Sequence, residues 1–320
     1  MTIDRRGLLM AGGLGAAAAP FVGQAQAAAG SVGRTVADFG VMSSDKDQTD
    51  ALQKAIDELT RAKQPVVFPA GAYTAASLTI PSFSTLIGVP GLTVIRTREI
   101  FVKYPIGSLA GLLTLSGLIV MQESVPDGDA LLPSAAAVNI SHCVFAGVGE
   151  KAIRLRNLPA TFHAVTFTGW TGAAILSGSA NLSVNGCHFE ACGTGISTDE
   201  TSVSSLVNNR FDQCGTGAVV RGTAVVSANI VTSAKDFGLK LGSAKGSGHI
   251  LAQSNLLRDC RIGIGVSASG DDIMASLNMI AGAKDGAVRA FDGDRLVGPD
   301  LARQSAEAYL NLMVAGNVVR

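Results

Sequence analysis

Asn185-Gly186-Cys187-His188-Phe189-Glu190-Ala191-Cys192-Gly193-Thr194-Gly195-Ile196 and, further along, Val207-Asn208-Asn209-Arg210-Phe211-Asp212-Gln213-Cys214-Gly215-Thr216-Gly217-Ala218 are two versions of one pattern. Their shared apolar anchor recurs at Phe145, Phe167, Phe189, Phe211, Val231, Leu257 and Ile280. Two residues before each anchor stand Cys143, Val165, Cys187, Asn209, Asn229, Asn255 and Asn278. A glycine follows six residues after the anchor at Gly195, Gly217, Gly263 and Gly286. A period of ~22 residues accommodates about three short strands and their turns. That is one coil of a parallel β-helix, and like residues in successive coils then stack ~4.8 Å apart. The asparagines become a ladder whose amides bond along the stack. A leucine-rich horseshoe is the competing solenoid, but its leucine spacing is missing. The fold class read from the sequence is all-β, a right-handed parallel β-helix (solenoid) with an N-terminal capping helix.

Working outward, residues 98–320 read as coils, with an excursion at 291–310 in which Pro299 to Tyr309 has the spacing of a short helix. Residues 30–97 read as an N-terminal cap and first coils. Ser43 to Lys63 is predicted helical: Ser44, Asp45 and Asp47 offer N-cap oxygens, Leu52, Ala55, Ile56 and Leu59 form one apolar stripe, and Pro65 ends it. Such a cap has a physical purpose, because an open solenoid end exposes unpaired backbone and apolar side chains. Val36-Ala37-Asp38-Phe39-Gly40, Asp47 to Leu52 and Val66-Val67-Phe68-Pro69-Ala70-Gly71 with Tyr73 resemble the N-terminal capping region of the pectin-lyase-like superfamily. That resemblance implies the right-handed β-helix and activity on polysaccharides.

Residues 1–29 read as an address. Asp4-Arg5-Arg6-Gly7-Leu8-Leu9 precedes an uncharged run to Val22, and Ala25-Gln26-Ala27 offers a small-x-small cleavage site. The segment resembles a twin-arginine export signal, which implies the twin-arginine export machinery as a partner and a periplasmic destination. The run is shorter than the ~20 apolar residues of a bilayer span, and no later stretch provides a stable one. Twin-arginine signal, cap and repeats together are similar to exported bacterial β-helix repeat proteins of unassigned activity.

Composition narrows the function. The 320 residues carry 25 Lys+Arg against 25 Asp+Glu, a formal net charge of zero. Without a basic surplus the chain does not read as a nucleic-acid binder. Five cysteines form two columns, Cys143 with Cys187 and Cys192 with Cys214 and Cys260. They read as stacked buried thiols, with a Cys192–Cys214 bridge as the alternative. No C-x-x-C spacing supports zinc.

Strand alternation places the chemistry. With Cys187 and Phe189 inward, His188 and Glu190 face outward; one coil on, so do Arg210 and Asp212, and Arg258 follows on the same face. These five are the candidate catalytic residues, a set of acid, base and cation. On a polyuronate, a base removes the proton alpha to the carboxylate, and arginine or Ca²⁺ stabilises the resulting charge. The competing reading is a solvated face of cross-strand ion pairs. Asp271 and Asp272 read first as a turn and second as a Ca²⁺ loop. Asp292 and Asp294 read the same way. Trp170, in the column of Cys192 and Cys214, reads as packing, and His142 and His163 as satisfied structural histidines. The sequence lacks the carboxylate and His-Gly motifs of polygalacturonases and the Asp-Pro-His-Asp signature of alginate epimerases. Two functions remain open: an enzyme on an acidic or cell-envelope polysaccharide (lyase, epimerase or hydrolase), and a non-catalytic β-helix that binds a glycan or a protein at the cell envelope.

Overall fold

A computed structural model describes residues 33–103, 111–122, 129–133, 136–304, 306–307 and 309–320. The proposed export segment, 1–29, lies outside them. Among the described residues, three parallel sheets run the length of the molecule. One coil shows the order: Asn181–Asn185 in the first sheet, His188–Glu190 in the second, Thr194–Thr198 in the third, then Val203–Val207 back in the first. We call them the groove sheet (11 strands, from Val66–Val67 to Leu312–Ala315), the anchor sheet (12 strands, from Ser44–Asp47 to Val318–Val319) and the third sheet (11 strands, from Ser77–Pro81 to Arg295–Asp300).

The predicted anchors are register partners on successive rungs: Phe145 with Phe167, Phe167 with Phe189, Phe189 with Phe211, and on through Val231, Leu257 and Ile280 to Val319. The column also extends earlier than the repeat is visible in sequence, through Val120 and Ile95 to Tyr73. The phenylalanine rings stack at 5.5, 5.0 and 4.8 Å between centroids, within 13° of parallel. Offset stacking of this kind adds ~0.5–1.5 kcal/mol per pair beyond burial.

The recurring glycine has its cause in those rings. Gly195, Gly217, Gly238 and Gly263 share one column of the third sheet, and Ala287 follows. A Cβ on Gly195 would lie 2.6 Å from the Gly217 carbonyl oxygen and 2.6 Å from the Phe211 ring. The anchor side chain fills the place of the missing one. Gly286 falls one residue outside this column, because the coil after Ile280 is one residue longer.

Asparagines form the predicted ladder, at 0–1% exposure for Asn209, Asn229, Asn255 and Asn278. The Oδ1 atoms of Asn229, Asn255 and Asn278 each accept both the backbone and side-chain N–H of the asparagine before them, at 2.9–3.0 Å, and Asn209 Oδ1 accepts the Cys187 backbone N–H. Asn317 adds the last step in the same way. All five cysteines are buried free thiols, so Cys192 and Cys214 are stacked rather than bridged. Trp170 is fully buried, with its indole N–H donating to the Phe145 carbonyl at 3.1 Å.

Two expectations are corrected. The helix spans Thr49–Arg61, not 43–63, because Ser44–Asp47 pairs with Tyr73 and Thr74 as the edge strand of the anchor sheet. Of the three proposed caps only Asp47 serves, accepting from the Thr49 N–H at 2.9 Å. The apolar stripe is as predicted, with Leu52, Ala55, Ile56 and Leu59 fully buried. Gln53 ties the helix to the Thr79 backbone through both its amide oxygen and its nitrogen. The second correction concerns the 291–310 excursion. Val288–Asp292 turns through Gly293 into Arg295–Asp300, an antiparallel strand at the edge of the third sheet, where a helix was expected from Pro299. An edge strand tolerates Pro299. Asp300 fixes the return, accepting from the N–H groups of Ala287, Val288 and Ala302. The excursion thus folds back over the end of one sheet and buries Leu301 beneath it.

Candidate functional site

The charged patch forms on the outer side of the anchor sheet. His188 pairs with Arg210 in register, and Glu190 with Asp212. The contacts run diagonally: His188 Nε2 lies 2.9 Å from Asp212 Oδ2, and Arg210 Nε donates to the same oxygen. Burial pushes the Asp212 carboxyl up, but the hydrogen bonds and charges of Arg210 and His188 more than offset this, and it settles below the usual carboxylate range. The same hydrogen bond and attraction, with help from Glu190, push the Arg210 pKa up. Asp212 therefore stays ionised at neutral pH and orients a histidine and an arginine. Arg258 stands apart: it follows Asp212 across Thr232, two rungs or ~10 Å on. So the structure gathers four of the five residues, with Arg258 at the margin.

Asp271 and Asp272 face opposite ways. The Asp271 carboxylate is fully buried and accepts from the N–H groups of Ser243 and Gly248, at 2.9 and 2.7 Å. It closes the 243–248 insertion into a compact loop. Asp272 is exposed and pairs with His249, Oδ2 to Nδ1 at 3.1 Å. Among the described residues no three His, Cys, Asp or Glu side chains converge to hold a metal ion.

A long concavity lies on a different face, along the groove sheet. It is a groove of about 1010 Å³ from Pro159 to Met313. Its floor is the outward row Thr161, Ser183, Ser205, Val225, Leu251, Met274 and Met313, one residue per rung in register. Seven rungs at ~4.8 Å give a length of roughly 29 Å. Hydroxyls line the N-terminal part of the floor and aliphatic side chains the C-terminal part. Asn181 and Thr223 add polar groups beside it, and Leu310, fully exposed, rises at its far end. The lining contains no lysine or arginine, and its one carboxylate, Asp272, is paired with His249. The sequence reading missed this groove. The signal was present in the alternation of each strand before an asparagine, but those outward residues are chemically quiet, and only stacking makes them a surface.

Comparison with known proteins agrees with this architecture. Residues 33–111 match the family model described as rhamnogalacturonase A/epimerase, pectate lyase-like, and residues 129–257 match adenovirus EB1 55K protein/large t-antigen. A putative phage-related protein of Bacillus subtilis, YobO, is 38% identical over 65 residues, 20% of this chain and 8% of that protein. Among solved structures, a mutant tailspike protein of the E. coli bacteriophage HK620 in complex with a pentasaccharide superposes with a TM-score of 0.65 at 13% identity. The match covers 92% of this chain and 64% of the tailspike. The A-module of the Azotobacter vinelandii mannuronan C-5 epimerase AlgE4 gives 0.55 at 18% identity over 89% and 87% of the two chains. A Yersinia enterocolitica family 28 exopolygalacturonase gives 0.56 at 12% identity over 89% and 70%. The chain thus spans less than two thirds of the tailspike it resembles and a small fraction of YobO. At these identities the likeness is one of fold, the right-handed parallel β-helix of pectate-lyase-like proteins.

Proposed function

We propose that this chain is an exported β-helix protein that binds a cell-envelope polysaccharide along the groove sheet. The observation that carries the reading is the groove: long, open and shallow, with one floor residue per rung. A polymer laid along the solenoid meets one floor residue at each step, hydroxyls first and aliphatic side chains after. Hydroxyl and amide groups at Thr161, Asn181, Ser183, Ser205 and Thr223 suit sugar hydroxyls. Val225, Leu251 and Met274 suit the C–H faces of sugar rings. The lack of basic side chains in the lining favours a neutral glycan over a polyuronate. That the tailspike is solved with a pentasaccharide, on the same fold, supports a glycan as the ligand class. Replacing Ser205 with Trp fills the floor at its centre and is expected to abolish co-sedimentation with the recognised polysaccharide. Binding unchanged by this substitution would refute the groove as the site.

A second reading rests on the meeting of His188, Arg210 and Asp212. Here the chain acts on an acidic polysaccharide as a lyase or epimerase. Arg210 pairs with a uronate carboxylate, and His188, oriented by Asp212, takes the adjacent carbon-bound proton. A screen of the purified chain against polyuronates with and without Ca²⁺, read by the absorbance of unsaturated products, separates the two. Turnover lost on Arg210→Ala and kept on Ser205→Trp establishes the second reading; no turnover with groove-dependent binding establishes the first. Export through the twin-arginine route is part of the proposal. Lysines at Arg5 and Arg6 are expected to hold the precursor in the cytoplasm, and normal periplasmic accumulation would contradict it.

A further inference from the structure

His142 and His163, half of the four histidines in the chain, meet on the surface. They occupy successive rungs at the turn between the groove and anchor sheets, where the His142 N–H donates to the His163 carbonyl at 3.1 Å. His142 has φ +53°, the left-handed turn conformation that recurs at this position in later coils at Ala164, Asn208 and Ala228. Both side chains are exposed rather than built into the core. Their rings lie 5.6 Å apart at 78°, edge to face. Neither ring makes a hydrogen bond or ion pair to any described residue, in contrast to His188 and His249, which each face an aspartate. Among the described residues the register neighbours are neutral: Ser141, in register with His163 and bonded to Ser116, and Asn185 one rung on. Cys143, though next in sequence, is buried with its thiol on the Ser141 carbonyl, and does not compete.

Two unengaged imidazoles on a rigid ladder are a chelating pair. With metal–nitrogen bonds of about 2.0–2.1 Å, each ring centroid sits ~3.2 Å from the metal. A centroid separation of 5.6 Å then subtends roughly 120° at the metal, near the tetrahedral angle of a zinc site. Rotation of the exposed rings about χ2 turns one nitrogen of each towards that point, while the backbone hydrogen bond holds the two Cα positions. We propose that His142 and His163 form a two-histidine site for a first-row divalent transition-metal cation, with water completing its coordination. Nitrogen ligands favour Cu²⁺, Ni²⁺ and Zn²⁺ in the usual affinity order and give Ca²⁺ no foothold. Neither histidine lines the groove, although His163 follows the floor residue Thr161 by two positions on the same outward face of one strand, and the proposal does not depend on the glycan reading.

Calorimetric titration of the full chain with Cu²⁺, Zn²⁺ and Ca²⁺ tests the proposal. One equivalent of Cu²⁺ and of Zn²⁺ is expected to bind, and Ca²⁺ is not expected to bind at this pair. His142→Ala and His163→Ala should each weaken binding by about ten-fold or more, since one imidazole loses the chelate. His249→Ala should leave it unchanged. Unaltered binding in the double variant, or the absence of a stoichiometric equivalent in the parent chain, would overturn the assignment. A second measurement does not depend on how the variants fold: substoichiometric Cu²⁺ should broaden the NMR ring signals of His142 and His163 first. Broadening confined to His188 or His249 overturns the proposal.

Discussion

Asn255→Ala tests whether the ladder holds the coils in place. Asn255 Oδ1 accepts the Asn229 backbone N–H and side-chain Nδ2–H, both at 3.0 Å, while its own Nδ2 donates to the Val226 carbonyl and to Asn278 Oδ1, both at 2.9 Å. Truncation removes four hydrogen bonds at a site 1% exposed. They are not equal losses. Asn229 Nδ2 keeps the Leu206 carbonyl, and Asn278 Oδ1 keeps the Asn255 backbone N–H. The Asn229 backbone N–H keeps nothing. A buried donor left alone costs ~1–3 kcal/mol, and each partly compensated bond costs well under its nominal ~1 kcal/mol. The expected destabilisation is therefore about 2–4 kcal/mol. In a solenoid this loss is concentrated at one coil interface, so urea unfolding should fall in midpoint or split into two transitions. Hydrogen exchange gives the sharper assay, because the Asn229 amide should lose protection before its neighbours in the groove sheet. A destabilisation below about 0.5 kcal/mol, with Asn229 still protected, would refute the reasoning. It would mean that the apolar columns alone set the register.

Three further outcomes are expected. Trp170→Ala empties a fully buried site and frees the Phe145 carbonyl; a loss of about 3–5 kcal/mol in chemical denaturation is expected, and a loss under 1 kcal/mol would contradict the packing role. Gly217→Ala would place a Cβ 2.4 Å from the Gly238 carbonyl oxygen and 3.1 Å from Val231 Cγ1; a cost of at least ~1–3 kcal/mol is expected, with Val231→Ala in the same chain recovering only the side-chain part of it. The Asp212 carboxyl sits below its ordinary value in the folded chain, so its contribution to stability is complete above the unfolded-state pKa and disappears as pH falls through the depressed folded value. An NMR titration should show that depression, and Arg210→Ala should return the carboxyl towards its ordinary range; an unmoved titration would show that Arg210 does not hold it.

How much of this was legible in the sequence follows from which side of the strand a residue faces. Inward positions are restricted by what they stack on, so Phe145, Phe167, Phe189 and Phe211 repeat in type, and the asparagines repeat because each amide serves the next. Earlier rungs use Tyr73, Ile95 and Val120 for the same purpose. Those side chains fill the same volume without the same letter, and the repeat fades from view there. Within the 291–310 excursion the spacing of Leu301 and its neighbours reads as a helix from Pro299, whereas the edge of the third sheet offers Arg295–Asp300 a backbone ladder that takes Pro299 and Asp300 into a strand and leaves 301–304 as a turn. Propensity lost to a long-range pairing that local spacing does not encode. Outward positions carry no such restriction. The His188–Asp212 contact was predictable because residues of opposite charge in adjacent coils stand out. The groove was not, because Ser205, Val225 and Leu251 are unremarkable alone and become a surface only when rungs 20 or more residues apart are superposed. His142 and His163 show the same effect in reverse. Taken singly, each reads as a structural histidine of its own turn; placed one rung apart, they are two imidazoles without a side-chain partner among the described residues and, in our proposal, within reach of one ion. In a solenoid, then, functional surfaces are properties of columns, and residues one coil apart are the unit to read.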